Sequence, residues 1–250
     1  MTARLLRLAL VAALLHGSSA LASGGPPMIT DDPGTPGDGH WEINIATLSF
    51  HTDSTTTYQL PLIDANYGVG DRIQLKFEMP WIHENDGAGS QNGMGNGLLG
   101  VKWRFYDDGE DGWQISTYPQ YQFAPSSSAA HRGLAETGTA TLLPLEFVHG
   151  FEGGDVNVEV GRWIRPAGQG DSWIAGLVLT HELKKGVEVM AELHDEKAVN
   201  SAQEELIANL GGRWDLSEHY TILVSAGRDL RNTLTEKNTF LSYLGLQIRF

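Results

Sequence analysis

Cysteine is absent from the 250 residues. In a chain carrying an export signal, that removes both a disulfide-stapled scaffold and a lipoprotein anchored through an N-terminal cysteine. Basic residues are scarce: 17 Lys and Arg stand against 31 Asp and Glu, a formal net charge of −14. So acidic a chain lacks the basic patch that would hold DNA, RNA or anionic headgroups, and no nucleic-acid partner is expected. Long apolar runs are missing except at the start. There Arg4 and Arg7 precede an apolar core, 8–15, and a small-x-small site, Ala20-Leu21-Ala22. This is the pattern of a secretory signal peptide over 1–22; the run is too short for a membrane helix and is followed by Ser, Gly and Pro. Removing its two arginines takes the charge from −14 to −16. Helical periodicity is also hard to find.

Period-two alternation, by contrast, recurs along the chain. Ile73, Leu75, Phe77, Met79 and Trp81 alternate with Gln74, Lys76, Glu78 and Pro80. Val187, Val189, Ala191 and Leu193 alternate with Glu188, Met190, Glu192 and His194. Successive side chains of a strand face opposite sides, so each segment has one apolar and one polar face. About twelve such strands are expected: 39–50, 56–69, 71–83, 97–107, 112–124, 139–150, 155–165, 171–182, 186–197, 203–215, 219–229 and 239–250. The second and eighth alternate least cleanly, because of Pro61 and the run 174–178. Connections after odd-numbered strands are polar and mostly longer, as in 84–96 and 124–138, whereas those after even-numbered strands are tight. A β-sandwich has no reason to sort its loops this way. A transmembrane antiparallel up-and-down β-barrel has one: short periplasmic turns and longer external loops, with an even strand count placing both termini in the periplasm. The expected domains are a signal peptide, 1–22, a periplasmic N-terminal segment, 23–38, and the barrel, 39–250.

Aromatic residues fall near both strand ends, as interfacial belts require. Trp41, Tyr67, Trp103, Phe105, Trp113, Trp214, Tyr220 and Phe250 belong to one end, and Phe50, Tyr58, Trp81, Phe123, Trp163, Trp173 and Phe240 to the other. The last segment places Leu244, Leu246, Ile248 and Phe250 on one face and Tyr243, Gly245, Gln247 and Arg249 on the other. An alternating strand ending in Phe resembles the C-terminal assembly signal of bacterial outer-membrane proteins, which implies the barrel assembly machinery as a partner. Further segments carry a family resemblance. They are 29–37 leading into Gly39-His40-Trp41-Glu42-Ile43-Asn44, Leu60-Pro61-Leu62-Ile63-Asp64 with 66–72, Gly100-Val101-Lys102-Trp103-Arg104-Phe105, and 244–250. Together they resemble the outer-membrane barrel family labelled transporters or meta-pathway of phenol degradation proteins. The resemblance spans essentially the whole chain beyond the leader. It implies a Gram-negative outer-membrane barrel moving a small solute, with outer-membrane lipid around it. No residue supports aromatic degradation chemistry.

Motifs of other chemistries find blander readings. Gly95-Asn96-Gly97-Leu98-Leu99-Gly100 has the dinucleotide spacing, but a strand follows it where that motif needs a helix. Asp31-Asp32 and the acidic turn 107–112 lack the oxygen spacing of a calcium loop. Eight histidines outside the leader form no His-Glu-x-x-His pair, and His194-Asp195-Glu196 is the best metal candidate among them. No metal or cofactor is expected. A barrel hydrolase would set Ser and His together on an outward wall; no such pair is expected and no Gly-x-Ser-x-Gly elbow is present, so the chain reads as a non-enzyme.

Charge on the polar faces is the remaining signal. Glu42, Asp64, Lys76, Glu78, Lys102, Arg104, Glu146, Glu159, Glu188, Glu192, Glu205, Arg213 and Arg249 would be costly against lipid, so they are expected to line the lumen. Glu188 is expected level with Arg213, and Glu42 with Arg249 across the closing seam. Glu146 and Glu159 should meet as like charges without a base on either strand at their level, unless Arg213 or Arg249 crosses a collapsed lumen. Twelve strands lie between barrels filled by side chains and barrels with an open channel. The expected function is a narrow passive channel or transporter for small solutes; the alternative is a filled structural barrel whose external loops mediate interactions.

Overall fold

The computed structural model describes residues 25–109, 112–166 and 170–250; the leader 1–22 and Glu110-Asp111 of the acidic turn lie outside the described residues. Alternating segments form strands β1 (Trp41–His51), β2 (Thr56–Val69), β3 (Ile73–Asn85), β4 (Ser90–Met94) and β5 (Gly97–Asp107). They continue with β6 (Trp113–Thr117), β7 (Gln120–Phe123), β8 (Thr139–Phe151), β9 (Gly154–Ile164) and β10 (Ser172–Lys184). The last are β11 (Val187–Ala198), β12 (Glu204–Asp215), β13 (Tyr220–Asn232) and β14 (Phe240–Arg249). One short helix, α1 (Ser127–His131), lies in the loop before β8 and is capped by the Ser126 side chain.

All the strands join one antiparallel sheet that closes on itself through β1 and β14, from Glu42 opposite Arg249 to His51 opposite Phe240. Trp41 and Phe250 exchange backbone hydrogen bonds of 2.7 and 3.1 Å at the end of this seam. β6 and β7 are two halves of one span between β5 and β8, and β4 folds back on the far end of β3. The wall therefore has twelve spans. Closure removes the unpaired edges that would otherwise recruit other strands.

Two departures from the expected segments have local causes. The fifth segment breaks at Tyr118-Pro119, where proline has no N–H to give the ladder; the Pro119 carbonyl still accepts from the Val101 N–H at 3.0 Å. Pro61 shifts the register of β2 against β1 and β3 but does not end the strand. The segments with the weakest alternation, β2 and β10, are unbroken, because ladder pairing on both sides holds them.

The wall is apolar outside and polar inside. Leu75, Phe77, Val101, Leu145, Leu179, Leu193, Leu210 and Leu244 are exposed, while Asn44, Asp64, Ser116, Glu146, Asn157, Glu159 and Asp229 are buried. An apolar surface this continuous is far beyond what a water-soluble monomer shows. Trp41, Trp103, Trp113, Trp214, Tyr220 and Phe250 are exposed toward one rim, and Tyr58, Trp81, Trp173 and Phe240 toward the other. Trp163 and Phe50 do not join the second belt. They pair with buried residues on the inner face, Trp163 with Leu142 and Ser172, Phe50 with Leu241.

Candidate functional site: an occupied lumen

Residues 25–34, set apart from the barrel in the sequence reading, lie inside it as a strap. Its main chain supplies most of the contacts. The Ile29 and Thr30 amides donate to Glu192 Oε1 at 3.0 and 2.7 Å, and the Asp31 amide donates to Glu159 Oε2 at 3.1 Å. In the other direction, Asn157 Nδ2 donates to the Asp31 carbonyl at 2.7 Å and Ser225 Oγ to the Pro27 carbonyl at 2.9 Å. The Arg213 guanidinium donates to the Pro26 carbonyl at 3.2 and 3.0 Å. Hydrogen bonds to charged groups contribute about 1.5–3 kcal/mol each, so the carboxylates on the wall are substantial anchors for the strap.

Lys102 on β5 holds the strap from another part of the wall. Its Nζ lies 2.9 Å from Asp31 Oδ1, also donates to the Asp32 carbonyl, and sits 4.5 Å from the Tyr118 ring centre. Glycines let the strap come close: a Cβ on Gly176 would fall on Thr30, and one on Gly211 on Met28. Met28, Val178 and Met190 form a small apolar cluster beneath it. Past the strap, the Gly39 amide donates to Gly68 and the Gly68 amide to His40, fastening the chain to the wall just before β1.

The other inward charges fall into place around this strap. Asp64 accepts from Asn44 and Asn66, both at 3.1 Å, and pairs with Lys76 at 3.2 Å, which also reaches Glu78 at 2.9 Å. Arg104 donates to the Asp71 carbonyl at 2.7 Å and pairs with Asp107. Glu205 accepts from Asn232 at 2.6 Å toward the loop-rich end. Glu188 lies opposite Arg213, as expected, with 3.9 Å between charged atoms. Glu42 lies opposite Arg249, but that arginine turns to Asp215 at 3.1 Å and Thr221 at 2.8 Å. Register was legible there; the partner was not.

Glu146 and Glu159 are directly opposed on β8 and β9 and nearly fully buried. Neither Arg213 nor Arg249 reaches them. Glu146 accepts from the Ser116 hydroxyl, and Glu159 from the strap. The sequence reading missed Asn157, Ser225, Tyr118 and Asn209, the last donating to Glu192 Oε2 at 3.2 Å; their neutral side chains carry no distinguishing motif.

The other candidates separate. Asp195 faces outward between inward His194 and Glu196, where His194 lies 3.4 Å from Thr30 and Glu196 accepts from Arg165 and Ser172. Among the described residues, no three His, Asp or Glu are grouped to hold a metal ion. Gly95 to Gly100 leads into β5 as expected. Contrary to expectation, register puts Ser49 and His51 on one outward face of β1. Their side chains have different partners, Ser242 at 2.7 Å and Thr56 at 3.2 Å.

No protein-family model and no curated protein matches the sequence. Solved structures do match the fold. An outer membrane channel from Pseudomonas putida F1 superposes with a TM-score of 0.69 at 14% identity, covering 88% of this chain and 98% of that one. The KdgM porin gives 0.57 at 10% identity, over 83% and 99% of the two chains. The NanC porin gives 0.57 at 7% identity, over 83% and 98%. The fold is that of outer-membrane channel and porin barrels. At these identities the likeness speaks for the wall, and the side chains inside it must carry any statement about solutes.

Proposed function

We propose that this chain lies in a Gram-negative outer membrane, termini toward the periplasm, as a narrow passive channel for small solutes. The observation that carries this reading is a closed, inside-out wall around a charged interior. Apolar residues meet lipid, and polar groups leave a path in which size and charge select. The strap across the lumen makes this conformation a restricted one. Passage runs beside the strap, with no chemistry performed on the solute. The C-terminal strand, ending in Phe250, serves the barrel assembly machinery.

Charge sets the expected preference. The inward carboxylates Glu42, Asp64, Glu78, Glu146, Glu159, Glu188, Glu192 and Glu205 outnumber Lys76, Lys102, Arg104, Arg213 and Arg249. A modest cation preference at low salt follows, weakening as salt screens the field. Reversal potentials across planar bilayers test it; anion preference, or no change on replacing both Glu146 and Glu159 with Gln, sinks the selectivity claim.

The second reading, a filled structural barrel, draws on the same strap. Conductance separates the two. Gly176→Val should push Thr30 away and raise single-channel conductance, whereas a closed trace in both native and variant proteins favours the filled barrel.

A further inference from the structure

We propose that the outward face of β10–β13 binds one phosphate-bearing, acylated glycolipid of the outer leaflet, of lipid A chemistry, with its phosphate on Arg228. The proposal rests on the membrane reading above. It concerns the outside of the wall, which the channel function does not use.

The groove is written in the ladder. Leu179, Ala191, Leu210 and Ala226 are successive cross-strand neighbours, and the next outward row is Leu177, Leu193, Ala208 and Arg228. Alanines between exposed leucines leave an apolar cavity of about 660 Å³ on the outward wall. Leu193 and Leu210 stand at its sides, 46% and 68% exposed, and Phe240 of the second aromatic belt closes one end. Methylene chains fit such a trough by contact alone, without a polar partner.

Arg228 gives the groove a polarity. It lines the trough, is exposed, and has no ion pair or hydrogen bond among the described residues. Its neighbour Asp229 does not neutralise it, because Asp229 is fully buried on the other face and accepts from Asn232 at 2.9 Å and Asn238 at 2.7 Å. An outward guanidinium next to an apolar groove calls for an anion on the lipid side, and phosphate matches its planar fork with paired hydrogen bonds. Close to the same rim, Lys197 and Arg231 both reach Glu204, and outward Asp195 stands two residues from Lys197, so charge is balanced there and Arg228 is the cation left to meet an anion. A lipid with a phosphate and several acyl chains uses both the guanidinium and the trough. With Phe240 and the longer loops at this end, the headgroup belongs to the outer leaflet, where phosphorylated glycolipid is the anionic lipid.

Native mass spectrometry of the full chain in mild detergent tests the site. The probes are bisphosphorylated lipid A, its dephosphorylated form and phosphatidylethanolamine. The proteins are native, Arg228→Gln and Ala208→Leu, each first shown to run as a folded, heat-modifiable barrel. Native protein should retain lipid A, Arg228→Gln should hold it roughly tenfold more weakly, and Ala208→Leu, which fills the trough, should lose it. The dephosphorylated form should behave toward native protein as lipid A does toward Arg228→Gln. Equal retention of lipid A by native and Arg228→Gln proteins overturns the proposal and leaves Arg228 an interfacial anchor. Equal retention of phosphatidylethanolamine overturns it too. Bilayer insertion and conductance, measured in parallel, keep the two readings apart. Insertion without lipid retention removes this site alone, and failure to insert removes the membrane reading beneath it.

Discussion

The two sides of the wall are built differently. From β8 to β13 the strands run eleven to thirteen residues and pair without interruption apart from two local register shifts. From β3 to β7 the wall is patched: β4 is added at one end, Tyr118-Pro119 splits a span, and Ala129 of α1 with Leu134 and Ala135 packs against Ile82. The regular side meets the strap through many polar groups, Asn157, Glu159, Glu192, Arg213 and Ser225 among them. The patched side meets it mainly through one ammonium, Lys102. Distributed neutral and charge-assisted hydrogen bonds tolerate the loss of a member. A single buried cation does not, because its removal strands the groups it served.

The largest effect is expected at the seam that completes the regular side. Deleting Phe250 takes away its hydrogen bonds with Trp41, which end the β1–β14 seam, and the terminal aromatic of the last strand. Most of the heat-resistant barrel should disappear from membrane fractions, and full levels of folded protein would count against an assembly role for this residue.

Next comes the strap itself. Lys102→Met should cost about 3–5 kcal/mol, the range for removing one partner of a buried pair. Glu192→Gln keeps an acceptor for the strap amides and should cost less, about 1–3 kcal/mol. Urea unfolding in detergent or liposomes ranks them; the reverse order would show the regular side to be the strap's principal support.

Smaller still is the contrast between Glu188 and Glu42. Glu188→Gln removes an opposed charge pair worth roughly 0.2–1 kcal/mol, whereas Glu42→Gln should change little, since Arg249 pairs elsewhere. Equal losses would mean that register alone, without contact, sets the coupling.

The smallest effect is in the loops. Hydrogen bonds from Ser54 and Thr52 hold exposed Glu236 below its ordinary range. A carboxylate depressed by folding stabilises the folded form above its unfolded pKa, and that contribution is lost as pH falls through the lower folded value. Protection of the Ser54 amide against hydrogen exchange should therefore fall on acidification in native protein but not in Glu236→Gln. A pH-independent Ser54 amide would remove the latch.

The contrast also explains what was legible in the sequence. Wherever strands are flanked by strands on both sides, alternation marks them, which is why all twelve spans lie close to their expected positions. β4 was missed because Ser90 to Met94 has no alternating apolar face, and its pairing with β3 lies beyond the main wall. The split at Tyr118 was hidden because Pro119 falls on an alternation that continues through it. Inward positions could be read from period two, whereas their partners could not. Arg249 chose Asp215 at the end of β12, two strands away, and Glu159 is served by a main-chain amide that no side-chain pattern announces. The one indirect signal was the excess of inward carboxylates over bases.

The strap also records the history of the chain. Its bonds to groups on β9, β11, β12 and β13 join residues 126 to 198 positions apart, and those to Lys102 on β5 join residues 70 and 71 positions apart. Contacts so distant form late and slowly. No short fragment presents all of these partners, and a wall slipped by one residue would turn them outward. The segment translated before any strand therefore becomes fully seated only after nearly all of them are in register, so its docking is a built-in proof that the barrel has been assembled correctly.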